Sequence, residues 1–395
     1  MTDANPGEIF TPHNATHRNS PDTYLQNARA QCPVSRASDV LYVVSRDEDV
    51  RRIFTDQQHF SSRGNFTLGE QDLEVPVPLI TMTDPPVHTG LRKRLLKNFA
   101  PARLRKLEPE IAKVVADAVG ELETQSGTVD LYDRYIKSIP TRVLYAFIGI
   151  PREMWDTVQE WADIINESLL SAPEETTEYA RLTQYIGELV EERRSMPDNR
   201  HTDVLDNFCF ADEGEREMSS FEVVMHIWQL LGAGTDTTRA LMSNCVFRLL
   251  ESHDQWDQIV ADRSRLTNAI EESLRLDSPG TYMTRSVLSD VEIGGCPVQA
   301  GSKVYLSLQS ANHDEKVWGD DSLEFNSSRA GAAAHVAFGN GIHACLGAPL
   351  VRIEARIAIS ALMDRFPNLY LAPGITWRNI DSYLFRRAED IAVVL

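Results

Sequence analysis

The stretch from Ser219 to Ser252, SSFEVVMHIWQLLGAGTDTTRALMSNCVFRLLES, is the longest run of helical apolar period in the chain. Val224, Trp228, Leu231, Met242, Cys245 and Leu249 fall on one stripe, and Ser219 with Glu222 has the form of a capping box. Whether this is one helix or two bears on the whole fold. Its middle, Gly232 to Thr238 (GAGTDTT), is poor helix material. Each glycine costs about 1 kcal/mol against alanine, and Thr and Asp add smaller penalties. One reading is a break or loop. The other is that small side chains let a continuous helix pass close to a flat ligand, with threonine and aspartate facing a polar reaction at a local distortion.

Helical signals dominate the rest of the chain before residue 280. FAPARLRKLEPEIAKVVADAVGELE, PREMWDTVQEWADIINESLL and TEYARLTQYIGELVEERR each repeat apolar residues at three and four. Strand-like runs are short: VLYVVS early, then VEIGG, PVQAGSKVYLSL and NLYLA late. The expected fold class is mainly α with small β-sheets, not an alternating parallel sheet. No linker or repeat divides the 395 residues, so one domain is expected over 21–395, preceded by a flexible leader over 1–20.

The net charge of −19 disfavours nucleic acid and anionic membranes as partners. No apolar run is long enough to span a bilayer, and the start has neither basic nor apolar signal regions. A cytoplasmic protein is expected. Against the acidic balance, Pro85 to Leu107 contains no acidic residue but includes Arg92, Lys93, Arg94, Lys97, Arg103, Arg105 and Lys106. Such a run is either a solvated helix face or a docking patch for a negatively charged partner. The five cysteines, Cys32, Cys209, Cys245, Cys296 and Cys345, show no C-x-x-C spacing. A disulfide framework and a zinc ribbon are both excluded.

Near the C-terminus, HVAFGNGIHACLGAPLVRIEARIAI sets a glycine-rich turn and one cysteine before a helix. A dinucleotide reading of Gly339, Gly341 and Ala344 fails, because no acidic residue follows NLYLA and too little chain remains for a parallel sheet. A zinc site at His343 and Cys345 lacks a second ligand pair. A third reading takes Cys345 as a lone ligand. A helix N-terminus favours a thiolate, and Pro349 is tolerated in the first turn. One soft anionic ligand suits a metal already held by a macrocycle, such as haem iron.

FGNGIHACLG resembles the F-x-x-G-x-[HR]-x-C-x-G signature of the cytochrome P-450 family of haem-thiolate monooxygenases, here Phe338, Gly341, His343, Cys345 and Gly347. Other landmarks follow in family order. AGTDTT (233–238) resembles the oxygen-activating helix, with Ala233 near the cofactor and Asp236 and Thr237 as an acid–alcohol pair. Glu272 and Arg275 resemble the E-x-x-R pair, with Arg329 as third member. The same spacing recurs at Glu48/Arg51, Glu178/Arg181, Glu191/Arg194 and Glu213/Arg216, so position gives the pair its weight. DPPVHTGLRKRL resembles the segment that supplies His88 and Arg92 to a haem propionate.

The resemblance implies haem b with its iron ligated by Cys345. It implies that His88, Arg92, Arg285 and His343 pair with the propionates, and that Phe338, Gly339 and Gly347 border the thiolate. Asp236 and Thr237 would deliver protons while one atom of O2 enters a small apolar or aromatic substrate, by hydroxylation, demethylation or epoxidation. Two electrons would come from a separate ferredoxin and reductase, docking on Arg92, Lys93, Arg94, Lys97 and Arg352. The implied substrate pocket draws on segment 63–82, including Arg63, Phe66 and Leu68, and on Gln229, Tyr282 and Leu384. A monomer is expected. A peroxide-driven peroxygenase and a non-enzymatic haem sensor or carrier are the alternative readings, and the intact acid–alcohol pair weighs against both.

Overall fold

The computed structural model describes residues 8–69, 75–168 and 177–395. Its centre is a continuous helix, Ser220–Glu251, opened by a capping box in which Ser219 and Glu222 satisfy each other's backbone N–H groups. The glycine- and threonine-rich middle does not break it. The hydroxyls of Thr235, Thr237 and Thr238 donate to the carbonyls of Leu231, Ala233 and Gly234 four residues back, so they add bonds within the helix instead of competing with it. A Cβ on Gly234 would stand 3.1 Å from Leu144 Cδ2, so this glycine sets how closely helix Ser138–Ile148 packs.

Helices Ser138–Ile148, Leu266–Leu276 and Ala348–Arg365 pack against the central helix, and Pro101–Glu123 packs against Ser138–Ile148 and Ala348–Arg365. Their apolar faces, among them Ile111, Val115, Leu144, Leu274 and Leu362, form the main core with Leu241 and Phe247 of the central helix.

A five-stranded sheet lies beside this body, in the order Val34–Arg36, Leu41–Val44, Lys303–Ser307, Tyr282–Val287, Phe60–Ser61. Leu41–Val44 runs parallel to Lys303–Ser307, and the other pairs are antiparallel. The sheet is buried on both faces, and alternation assigns residues to each. Val304, Leu306 and Val287 pack into a core with Ile53 and Phe54. Tyr305 and Tyr282 face the other way, onto Phe10, Tyr24 and Leu25.

Two smaller sheets complete the fold. One is a hairpin, Val291–Ile293 with Cys296–Val298, turned through Gly294 and Gly295 at positive φ. The other joins Thr128–Asp130, Ala392–Val394 and Tyr370–Leu371. Residues 1–7 of the expected leader lie outside the described residues. The remainder of it is not loose: Phe10 and His17 are buried, and their rings lie 6.3 Å apart beside Tyr305 and Tyr24. No helix among the described residues is long and apolar enough to cross a membrane.

Candidate active site

The cysteine turn is shaped by its glycines. Gly339 and Gly341 both hold positive φ. A Cβ on Gly341 would meet the Phe54 carbonyl oxygen at 2.6 Å, so only glycine lets the turn close onto helix Asp47–Thr55. The Cys345 N–H donates to the Phe338 carbonyl at 2.8 Å. Three residues on, helix Ala348–Arg365 begins with Pro349 in its first turn. The Cys345 side chain is accessible yet poorly solvated. Desolvation pushes its thiol up, while the N–H groups of Gly347 and Ala348 and the charges of Arg92 and Arg352 pull it back. The Phe338 ring carries the Arg352 guanidinium at 4.6 Å.

Four basic side chains gather on one side of this turn. The rings of His88 and His343 are 4.0 Å apart. Arg92 donates to the Ala344 carbonyl at 2.7 Å, and buried Arg285 donates to Thr284 O. Desolvation holds the His343 imidazolium down to about 3 and the Arg285 guanidinium down to about 10. The carboxylate that acts on His88, Arg285 and His343 is Asp84, already engaged by Ser61 and Ser62. Nε2 of both histidines is buried without a partner. A poorly solvated sulfur beside buried cations and orphaned donors fits a metal macrocycle that brings its own carboxylates.

On the central helix, Ala233 is exposed. The Thr237 hydroxyl donates to Ala233 O at 2.8 Å, and Asp236 Oδ1 accepts from Arg239 at 3.1 Å. Gln229 Nε2 donates to Thr81 Oγ1 at 2.6 Å, tying the helix to the upstream loop.

The E-x-x-R residues come together as a buried triad. Glu272 accepts from Arg275 at 2.8 Å through both oxygens and from Arg329 at 2.9 Å. The Arg275 guanidinium also donates to the Asn312 and Ser322 carbonyls.

Several sequence expectations require correction. Tyr282 does not line the site. It stands three positions from Arg285 on a strand, hence on the opposite face, and stacks on Tyr305 at 4.4 Å. Leu68 and Leu384 pack against the same core. Arg63 is largely exposed, with Asp84 at 3.9 Å, and Phe66 holds a positive φ of 70°. Residues 70–74 of the 63–82 segment lie outside the described residues. The basic run is not a free patch either. Arg94 is buried against the carbonyls of Asn207, Phe208 and Arg216, Lys97 bridges Asp212 and Glu215, and Arg352 grips Glu271 through two bonds.

Sequence reasoning overlooked Glu271, which also pairs with His335 at 3.2 Å, and Arg239, whose place three residues after Asp236 was an available signal.

The cysteine turn, the acid–alcohol helix and the buried triad on this fold define a haem-thiolate oxidoreductase. The chain belongs to the cytochrome P450 family, whose profile matches residues 144–373. It is 34% identical over 355 residues to the vitamin D(3) 25-hydroxylase of Pseudonocardia autotrophica, spanning 88% of this chain and 86% of that one. It is 32% identical to the 6-deoxyerythronolide B hydroxylase of Saccharopolyspora erythraea, spanning 79% and 77% respectively. Among solved structures, CYP109E1 from Bacillus megaterium in complex with testosterone superposes with a TM-score of 0.84 at 28% identity, covering 95% of this chain and 99% of that chain. The protein is a P450 monooxygenase, a class that takes a haem-iron cofactor, a small-molecule substrate and electrons from a redox partner.

Proposed function

We propose that Cys345 is the thiolate ligand of haem b and that the enzyme inserts one atom of O2 into an apolar organic substrate. The carrying observation is Cys345 itself, accessible and held by the N–H groups of Gly347 and Ala348 at a helix start. When bound, the haem supplies the oxygen-activating chemistry. His88, Arg92, Arg285 and His343 hold its carboxylates, and Phe338 limits water beside the sulfur. Asp236 takes protons from solvent and Thr237 holds the water through which they pass. Per turnover, one oxygen atom enters the substrate and the other leaves as water, with two electrons and two protons consumed.

The substrate reading is supported by the names of the relatives, which include a vitamin D(3) hydroxylase, a macrolide hydroxylase and a testosterone complex. It is also supported by Gln229, a polar group beside exposed Ala233, which suits an apolar skeleton carrying one oxygen function. Electrons come from an acidic ferredoxin-type donor. Lys93, Arg105 and Lys106, which are exposed, support a docking face on the remaining basic run. The chain works as a cytoplasmic, single-domain enzyme.

The test is the reduced carbon monoxide spectrum of purified enzyme, before and after Cys345→Ala. A red-shifted thiolate band that disappears in the variant is expected. A band that survives the substitution overturns the assignment.

A further inference from the structure

Helix Leu266–Leu276 carries two adjacent glutamates with separate partners. Glu272 belongs to the buried triad. Glu271 precedes it by one residue, about 100° around the helix, and bonds to the cysteine turn instead. Glu271 is only 6% exposed, and both its oxygens are engaged. Oε1 and Oε2 accept from Arg352 at 2.6 and 2.7 Å, and Oε2 also accepts from His335 Nε2 at 3.2 Å. His335 Nδ1 accepts from the Ala337 N–H at 3.1 Å, so the neutral ring carries its hydrogen on Nε2, facing the carboxylate. Burial pushes the Glu271 carboxyl up, but the bonds from Arg352 and His335 outweigh it and hold it down to about 2.

Both partners bear on Cys345. The Arg352 guanidinium lies 4.6 Å from the Phe338 ring centroid, and its charge acts on the Cys345 sulfur. The His335 ring meets the Phe338 ring at 5.6 Å and an angle of 50°. The chain of bonds from Glu271 through His335 to the Ala337 N–H ends one residue short of Phe338. The Phe338 carbonyl in turn accepts the Cys345 N–H at 2.8 Å. Between them the Val336 N–H is held by Asn312 Oδ1 at 2.7 Å. One buried carboxylate thus governs a cation beside the sulfur, the ring packed against that cation, and the backbone leading to the ligand residue.

We propose that Glu271 is a positioning residue for the cysteine turn, which fixes and balances the Arg352 charge beside Cys345 and so sets the reduction potential of the bound haem. The proposal rests on the haem-thiolate reading above. Charge, burial and hydrogen bonding around a ligating sulfur are the levers by which a protein tunes such a potential. Glu271 acts on all three through Arg352, Phe338 and His335. With the carboxylate present, Arg352 is half of a neutral pair. Without it, an unbalanced positive charge faces the sulfur and favours the reduced, more negative state.

The experiment is a spectroelectrochemical titration of the substrate-free holoenzyme, alongside its reduced carbon monoxide spectrum. Glu271→Gln is expected to raise the potential, shifting the reduction equilibrium by about threefold to thirtyfold, which is about 30–90 mV for a one-electron couple. Arg352→Met removes the cation and is expected to lower the potential. Loosening of the turn alone would not drive the two variants in opposite directions. Arg352 is partly exposed, so its variant still reads the pair if Glu271→Gln takes up no haem. The thiolate band is expected in the parent and in both variants. Potentials that do not move, or that move in the same direction, overturn the proposal with the haem-thiolate reading intact. A parent that lacks the band overturns that reading and the proposal with it.

Discussion

The rings of His88 and His343 meet at a tilt of 42° with centroids 4.0 Å apart, and Nε2 of each is buried without a hydrogen-bond partner among the described residues. A bond from such a donor to a carboxylate contributes about 1.5–3 kcal/mol. His343→Phe is therefore expected to release haem at least about tenfold faster. Haem transfer to an apoprotein acceptor measures this, and an unchanged rate would remove the histidine from the cofactor site.

The triad of Glu272, Arg275 and Arg329 is buried throughout. Glu272→Gln leaves the fully buried Arg275 guanidinium without its counter-charge, while Arg329 keeps Asp321 at 3.0 Å, so a loss of about 3–5 kcal/mol in urea unfolding is expected. Glu178→Gln, at a surface pair of the same spacing whose Arg181 is exposed, is expected to change stability by less than about 0.5 kcal/mol.

Glycine substitutions should separate by location. Gly341→Ala drives a methyl into the Phe54 carbonyl at positive φ, and a loss of about 1–3 kcal/mol is expected. Gly232→Ala meets nothing within 4 Å inside a helix, so a gain of about 0.5–1 kcal/mol is expected. Thermal unfolding distinguishes the two.

Acid should weaken the start of the central helix. The Arg216 side chain and the Ser219 bonds hold the Glu222 carboxyl down to about 2. A folded-state value below the unfolded one means the contribution is full above about pH 4.5 and fades as pH falls through 2. The stability difference between the parent and Glu222→Gln, about 1 kcal/mol near neutrality, is expected to vanish by that point in acid titrations followed by circular dichroism.

The docking face can be tested by charge reversal. Lys93→Glu is expected to raise the KM for a ferredoxin donor severalfold at low salt and much less at high salt. Equal turnover at both ionic strengths would place the donor elsewhere.

Local rules carried the helices and strands well. The Pro101–Glu123 and Thr177–Ser195 helices follow from apolar period, and the capping box at Ser219 was readable from two residues. The continuity of the central helix was ambiguous because the same hydroxyls that favour loops can back-bond to carbonyls four residues behind. Tyr282 was misassigned although alternation from Arg285 already put it on the other face. Arg94 and Lys97 looked free because the groups that neutralise them, between Asn207 and Arg216, lie far downstream, where no local rule reaches.

The contact between Phe54 and Gly341 joins opposite ends of the chain. During synthesis, the early helix that braces the sulfur-bearing loop must wait for nearly all later residues to emerge. Cofactor capture therefore belongs to the closing act of folding, and a nascent chain cut short before that meeting has no finished grip to offer.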